Sequence, residues 1–370
     1  MTAGRDGHAV EAWLAALPGA DALLFWPPPA QLYTPGDLYD GLRLGEPETS
    51  RHCWDARVYR WTLGPNGKPR SLDDVETVAT RLHDAAMDRL VRDYVDAAHH
   101  VTIGFMGGHD VARTEAAYEQ VARTAREMRR RGFKIVTGGG PGLMEAANFG
   151  AMLAPHTDED LDASLQLLRT APDFGISESQ TDAWIHTAAQ VRDTLLGRWN
   201  APPLPGGDSL GLPTWYYGAE PPNLFASVSG KYFMNSLRED GLVSIANGGL
   251  VFAKGAAGTV QEVFQNAGYN YYRGAGVEAT PMVFLGRDFW NPGPDADAGA
   301  PRDPKRKPVY PLVAKLAADA DLPFAPAVML TDDPEAIVEF LSIQNESQLR
   351  ARQADIRLAQ VNSLPSPRSP

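Results

Sequence analysis

Residues 133–150 constrain the fold more than any other part of the sequence, and they read FKIVTGGGPGLMEAANFG. Residues 133–137 are a short apolar run of the kind that forms a buried parallel strand. The turn GGGPG at residues 138–142 interrupts this run, and residues 143–151 continue with good helix formers. A strand, a glycine turn and a helix direct free backbone N–H groups and the positive end of the helix dipole at one point. This stretch predicts a phosphate site, and the alternative is a tight turn that binds nothing.

A second loop of the same kind lies at residues 250–262, which read LVFAKGAAGTVQE. An apolar run again leads into a small-residue turn, and a helix opens at Thr259. A third example starts with the predicted strand 101–106, after which Gly107, Gly108 and His109 follow. Because parallel strands present their carboxyl ends at one edge of a sheet, the three loops are predicted to line a common ligand pocket.

The first two loops together resemble the paired signatures of the LOG family, GGGxxGLM and PGGxGTxxE. This family consists of nucleoside 5′-monophosphate phosphoribohydrolases, often misnamed lysine decarboxylases. Residues 138–148, GGGPGLMEAAN, match the first signature in full, whereas Lys254 and Ala256 replace a proline and a glycine of the second. The residues that stay in register with the second signature are Gly255, Gly258, Thr259 and Glu262. The resemblance covers roughly residues 101–341.

The resemblance implies an α/β fold, a Rossmann-like doubly wound parallel sheet with helices on both faces. It places the nucleotide-binding domain at 96–345, with a helical insert at about 154–205. An N-terminal extension, 1–95, precedes this domain, and a tail, 346–370, follows it. The resemblance also implies a homodimer or a dimer of dimers. The candidate interface is helix 260–272, with the aromatic residues Phe264, Tyr269, Tyr271 and Tyr272.

The same resemblance makes Glu262 the catalytic carboxylate, whereas the alternative is a carboxylate that only caps a helix start. We expect the helix dipole to favour the ionised form of Glu262. Arg238 is the preferred cation for phosphate and sugar, although Glu239 follows it where the family has lysine, and Lys231 is the alternative. Glu145 is predicted either to contact the ribose or to form only a structural ion pair. The predicted substrate- and phosphate-binding residues are Gly107, Gly108, His109, Gly138, Gly139, Gly140, Gly142, Glu145, Gly255, Gly258 and Thr259.

The predicted activity is hydrolysis of the N-glycosidic bond of a nucleoside 5′-monophosphate, which yields a free base and ribose 5-phosphate. The alternative is a nucleotide-binding or sensor protein of the same fold without turnover, favoured by the altered second loop and the missing Arg-Lys pair. No cofactor is expected, and an NAD site is disfavoured because GGGPG does not give the spacing GxGxxG. The histidines show neither HxxxH nor HExxH spacing, so no metal is expected.

Composition restricts the partners and the compartment. A net charge of −12 over 370 residues argues against binding to nucleic acid or anionic membranes. Cys53 is the only cysteine, so a disulfide within the chain is impossible and a cytoplasmic location is expected. The sequence contains no secretion signal and no run of about 18 apolar residues that would cross a membrane.

The N-terminal region shows no catalytic pattern. Its sequence predicts a helix at 10–17, a strand at 20–26 and a strand or edge hairpin at 54–63. Ser71 is the predicted N-cap of a long helix, in which His83 is expected to be packed and hydrogen-bonded. Trp26, Trp54 and Trp61 are predicted packing residues. Within the insert, helices are predicted at 158–170 and 181–199, as a lid, an oligomer contact or a surface decoration.

Overall fold

The computed structural model describes residues 19–96, 101–175, 177–216, 220–293 and 305–350. Its centre is a seven-stranded sheet with the order β4-β3-β2-β1-β5-β6-β7, in which all neighbours are parallel. The strands are β1 Thr102–Met106, β2 Lys134–Thr137, β3 Ser209–Gly211, β4 Val228–Ser229, β5 Gly249–Phe252, β6 Met282–Leu285 and β7 Val328–Thr331. The predicted α/β class with a parallel sheet is therefore confirmed. The strand order reverses between β1 and β5, which is the position where open sheets of this kind hold ligands.

The α-helices of the described residues pack around this sheet. They are α1 Pro35–Leu38, α2 Trp54–Trp61, α3 Asp74–Asp96, α4 Ala116–Arg130, α5 Leu143–Met152, α6 Asp158–Leu168, α7 Glu178–Leu196, α8 Asn235–Ile245, α9 Ala257–Tyr271, α10 Arg287–Trp290, α11 Tyr310–Asp319 and α12 Pro334–Gln344. Short 3₁₀ turns lie at Ala20–Ala22, Pro47–His52 and Ala325–Ala327.

Alternate residues of the strands enter two different hydrophobic cores. Val251 and Val283 pack in the core that includes α4, α5 and α7, whereas Leu250, Phe252 and Phe284 pack in the core with α9 and α11. Because successive side chains of a strand point to opposite faces, this division means that both faces of the sheet are covered. This burial on both faces explains why the strands appear in the sequence as continuous apolar runs.

Two predictions for the N-terminal region are wrong. Residues 20–26 form a 3₁₀ turn and irregular chain instead of a strand, and residues 54–63 contain the helix α2. Trp54, Val58 and Trp61 recur at helical spacing and face an aromatic cluster, which outweighs the β propensity of their residue types. Predictions for residues 10–17 and for the C-terminal tail lie outside the described residues.

The start of the long helix α3 also differs from its prediction. Asp73, not Ser71, accepts the Glu76 backbone N–H at 2.8 Å, and the Glu76 carboxylate accepts the Asp73 N–H at 3.0 Å. This reciprocal pair satisfies two backbone donors, as in a capping box. Within α3, His83 is fully buried and lies 2.9 Å from the Tyr33 hydroxyl, so the predicted packed histidine is confirmed.

The insert is integrated into the core instead of standing apart from it. Trp184 of α7 is buried, and the guanidinium of Arg113 lies 4.6 Å from the centre of its ring. Asp182 of the same helix accepts hydrogen bonds from Ser50 and Arg51 of the N-terminal extension, at 2.5 Å and 2.8 Å. The insert therefore connects the extension to the sheet.

Lys231, the alternative cation, precedes α8, which begins at Asn235. Its buried ammonium lies 2.5 Å from the Asp55 carboxylate, which also accepts the Trp215 indole N–H at 2.8 Å. Burial lowers the pKa of Lys231, against the raising effect of Asp55. Lys231 is thus part of the scaffold, and it does not line the glycine-loop cavity described below.

We expect Lys231→Met to lower the free energy of unfolding by about 3–5 kcal/mol, because it leaves the buried Asp55 carboxylate without its counter-charge. Chemical denaturation followed by circular dichroism measures this loss. The double variant Lys231→Met with Asp55→Leu should recover much of it. The control is Lys315→Met, which removes an exposed pair with Asp319 and should leave the midpoint unchanged. Equal effects of the two lysine variants would contradict the buried pairing.

Candidate functional site

The three loops that follow β1, β2 and β5 are hydrogen-bonded to one another through Gly108. The Gly108 N–H donates to the Lys254 carbonyl at 2.8 Å, and the Gly108 carbonyl accepts the Leu143 N–H at 3.1 Å. One residue therefore joins the loop after β1 to the start of α5 and to the loop before α9. This is the convergence at one sheet edge that the sequence predicted.

Contacts within the protein explain the glycines of the first signature. Gly142 has a φ of +67°, and a Cβ placed on it would lie 2.3 Å from the Gly108 carbonyl oxygen. Gly139 has a φ of +71°, and its Cβ would meet Pro213 at 2.6 Å. L-residues rarely adopt such conformations, so the chain requires glycine at both positions whether or not a phosphate is bound.

The other two glycines of the triplet, Gly138 and Gly140, lie beside the charged side chains of Arg238 and Glu220. A Cβ at Gly138 would approach Arg238 Nη1 to 3.3 Å, and one at Gly140 would approach Glu220 Oε2 to 3.0 Å. Both would also crowd Met144. The glycine loop therefore fits between Arg238 and Glu220, and it fixes the space that these two side chains occupy.

A buried amide network holds the glycine loop in place. Asn223 donates its backbone N–H to the Gly139 carbonyl at 2.8 Å and its side-chain amide to the Gly140 carbonyl at 3.1 Å. The same amide reaches Asn148 Oδ1 at 3.0 Å, which also accepts the Thr137 hydroxyl at 2.7 Å. Because these groups are buried, each hydrogen bond satisfies a donor that water does not reach. Asn148 and Asn223 therefore support the loop.

A cavity of about 160 Å³ opens where the loops meet. The predicted residues that line it are Gly107, Gly108, His109, Gly138, Arg238, Gly258, Thr259 and Glu262. The predicted residues that do not line it are Gly139, Gly140, Gly142, Glu145 and Gly255. Sequence reasoning assigned no role to Met144 and Glu220, which also line the cavity.

Glu145 and Gly255 have structural roles. The Glu145 carboxylate is fully buried and accepts two hydrogen bonds from Arg113, at 2.9 Å and 2.5 Å. Of the two alternatives for Glu145, the structure therefore shows the ion pair. A Cβ on Gly255 would lie 2.2 Å from the Thr259 hydroxyl, so glycine is needed there to seat the first turn of α9.

Glu262 is buried in the second turn of α9, with 7% of its surface exposed. Its nearest cation is Arg238, whose Nη1 lies 3.6 Å from Oε1. Burial raises the pKa of Glu262 to about 7, while Arg238 opposes this rise and Glu239 adds to it. The expectation that the helix dipole keeps Glu262 ionised is thus wrong, because α9 begins at Ala257 and the dipole acts mainly on the first turn. The carboxyl group is poised between its two protonation states at neutral pH.

Arg238 projects from α8 into the cavity. Its Nη2 donates to Asn235 Oδ1 at 2.7 Å, and its buried Nε has no hydrogen-bond partner in the structure. The neighbouring Glu239 is held by Asn235 and Gln261, at 2.7 Å and 2.6 Å, and lies 3.8 Å from Arg238. Arg238 is partly buried, with 13% of its side chain exposed, and its side chain lines the cavity.

His109 and Glu220 form a second pair of titratable side chains at the cavity. His109 Nδ1 lies 2.9 Å from Glu220 Oε1, and the hydrogen bond that this carboxylate accepts raises the pKa of His109. Phe174 of the insert lies edge-on to the imidazole, with 6.3 Å between ring centres. The cavity is thus lined by two pairs, each of one basic side chain and one carboxylate, on either side of the glycine loop.

Comparison with known proteins does not assign the chain to a family. No protein-family model matches the sequence, and a search of curated proteins finds no significant match. Among the described residues, no group of three or more His, Cys, Asp or Glu side chains is arranged to hold a metal ion. Nor does this part of the chain contain a helix that is long and apolar enough to cross a membrane.

We expect the two glycines Gly142 and Gly258 to respond in opposite ways to alanine. Gly142→Ala combines an unfavourable backbone conformation with a backbone clash, so it should cost on the order of 3 kcal/mol of unfolding free energy or more. Gly258→Ala places its methyl group in open space within α9 and should be neutral or stabilising by up to about 1 kcal/mol. Urea denaturation of both variants measures the contrast, and similar losses would contradict the packing described above.

A second prediction concerns Glu262 and pH. The unfolded carboxyl group ionises near pH 4.5, whereas the folded one retains its proton to about pH 7. Folding stability contributed by this group therefore falls as pH rises through that window and stays low above it. Relative to the parent, Glu262→Gln should gain about 3 kcal/mol in unfolding free energy between pH 5 and pH 8. Denaturation at both pH values tests this, with the exposed Glu335→Gln as a control whose difference from the parent stays constant.

Proposed function

We propose that the protein hydrolyses the N-glycosidic bond of a nucleoside 5′-monophosphate and releases a free base and ribose 5-phosphate, as the LOG resemblance implies. The observation that carries the proposal is the Arg238–Glu262 pair, which lines one cavity together with residues of both glycine signatures. Cleavage of a ribosyl 5′-phosphate requires an anion anchor and a carboxylate within one cavity.

The start of α9 supports binding of the phosphate. Ala257, Gly258 and Thr259 line the cavity, and they form the first turn of a fifteen-residue helix with its backbone N–H groups at the amino end. Such a turn attracts anions through its free donors and its dipole. A Cβ at Gly258 would meet no atom within 4 Å, so space is open beside this turn. Arg238 supplies the balancing charge.

Glu262 supports the chemical step. Departure of the base leaves positive charge on the anomeric carbon and the ring oxygen, as in other glycoside hydrolyses. The ionised Glu262 carboxylate stabilises this cation and orients the attacking water. Because its pKa lies near 7 in the ligand-free cavity, turnover rises with pH through neutrality as the carboxylate form becomes populated.

The remaining parts of the proposal concern assembly and location. We place a homodimer or dimer-of-dimers contact at α9, where Tyr269 and Tyr272 are 45% and 85% exposed. Phe264 and Tyr271 of the predicted interface set are partly buried against the sheet, which leaves the other two tyrosines to meet a partner. Cytoplasmic residence and the absence of a cofactor stay part of this proposal.

One observation favours the alternative, a nucleotide-binding sensor without turnover. The cavity is lined by the carboxylates of Glu220, Glu239 and Glu262, against the cationic groups of Arg238 and His109. Glu239 stands where the family has a lysine, so the cavity holds less positive charge for a phosphate than the family pattern does. A sensor would bind a monophosphate here and leave its glycosidic bond intact.

The test is base release from AMP, GMP, IMP, CMP and UMP, followed by chromatography, with calorimetric binding alongside. Glu262→Gln should lower turnover by on the order of 10²–10³, with binding unchanged or tighter, because the charge acts on the transition state. Arg238→Ala should mainly weaken binding. Glu335→Gln, an exposed carboxylate in the first turn of α12, is the matched control and should act like the parent.

Two outcomes separate the alternatives. A parent protein that binds a monophosphate but releases no base supports the sensor. A parent that releases base, with most of its rate retained in Glu262→Gln, shows that Glu262 is not the catalytic carboxylate.

A further inference from the structure

We propose that His109 is the general acid that protonates the departing base, and that Glu220 is the residue that positions it. The inference rests on the proposed hydrolysis and goes beyond it, because it defines the leaving group. The substrate class is a monophosphate of a neutral base, which departs readily only when it receives a proton.

The position of His109 suits a proton donor. It follows Gly108 at the end of β1, and its side chain lines the cavity with 47% of its surface exposed. Nδ1 is engaged by Glu220 at 2.9 Å, and no hydrogen bond within the described residues engages Nε2. A carboxylate at Nδ1 orients an imidazole and leaves Nε2 to exchange protons with a substrate.

Glu220 is held by the same structure that builds the glycine loop. Its Oε2 would lie 3.0 Å from a Cβ on Gly140, so the absence of a side chain there makes room for the carboxylate. Asn223, three residues further on, binds the backbone carbonyls of Gly139 and Gly140. These bonds anchor the segment that carries Glu220 to the glycine loop. Glu220 in turn orients His109 through its contact with Nδ1.

The charges around His109 favour its protonated form. Glu220 and the adjacent Asp110 raise its pKa, and burial opposes them. The uncharged ring of Phe174 packs against His109 from the insert, and Arg238 and Glu262 lie along the same cavity. The protonated imidazole of His109 and the carboxylate of Glu262, whose pKa lies near 7, form an acid and a stabilising base within one site, a pattern known from other hydrolases.

The step balances as follows. The bond between C1′ and the base nitrogen breaks, its electron pair stays with the base, and the proton on His109 Nε2 passes to the base. Water then adds to C1′ beside the Glu262 carboxylate, and the proton that this water releases returns to Nε2. One water is consumed, and the products are the neutral base and ribose 5-phosphate.

The test compares GMP with 7-methyl-GMP, whose base already carries the positive charge that protonation would supply. His109→Gln should slow hydrolysis of GMP by about 10²–10⁴, the usual contribution of a general acid, and leave hydrolysis of 7-methyl-GMP within about threefold of the parent. His52→Gln, an exposed histidine outside the cavity, is the control and should match the parent on both substrates.

Glu220→Gln tests the positioning role through the pH dependence of the rate. A purely structural role of Glu220 would leave this pH dependence unchanged. The variant should shift the basic limb of the rate–pH profile on GMP to lower pH, together with the His109 titration followed by NMR. Equal slowing of both substrates in His109→Gln, or an unmoved basic limb in Glu220→Gln, would overturn the inference while leaving the hydrolysis intact. A parent that hydrolyses neither substrate overturns the inference and the proposed function together.

Discussion

The backbone of Gly108 is the contact on which the rest of the site depends. Its N–H and carbonyl bind Lys254 and Leu143, so three loops from three strands share one hydrogen-bonded centre. A side chain on Gly142 would prevent the loops from coming this close, because its Cβ would lie 2.3 Å from the Gly108 carbonyl oxygen. The cavity forms beside this centre, and its walls are therefore set by backbone geometry.

The charged pairs inside the protein divide between closed pairs of the scaffold and a looser pair at the cavity. Arg113 with Glu145 and Lys231 with Asp55 are closed pairs inside the scaffold, where each charge meets its partner within hydrogen-bond distance. Arg238 and Glu262 are separated by 3.6 Å, and the buried Nε of Arg238 has no hydrogen-bond partner. The looser pair lines the cavity, which is the arrangement expected where charge must respond to a ligand.

The sequence predicted the sheet and the meeting of its loops because apolar runs and glycine turns are local signals. It misassigned 54–63 because the burial of α2 against a distant aromatic cluster is a tertiary effect. Glu145 could not be resolved from the motif alone, since its partner Arg113 lies in another segment. The ionisation of Glu262 was mispredicted for a related reason: burial depends on the whole fold, whereas the helix dipole is read from local sequence. Glu220 was missed because only the folded chain brings it to His109.

The insert contacts the site through the aromatic side chain of Phe174. Phe174 meets His109 on one side and Trp184 on the other, with 5.8 Å between the latter ring centres, and Trp184 in turn packs against Arg113. A segment outside the sheet thus lies against a cavity residue without itself lining the cavity. For protein engineering, this makes Phe174 a separate control point: its ring can be varied to tune the imidazole while every residue that lines the cavity is kept.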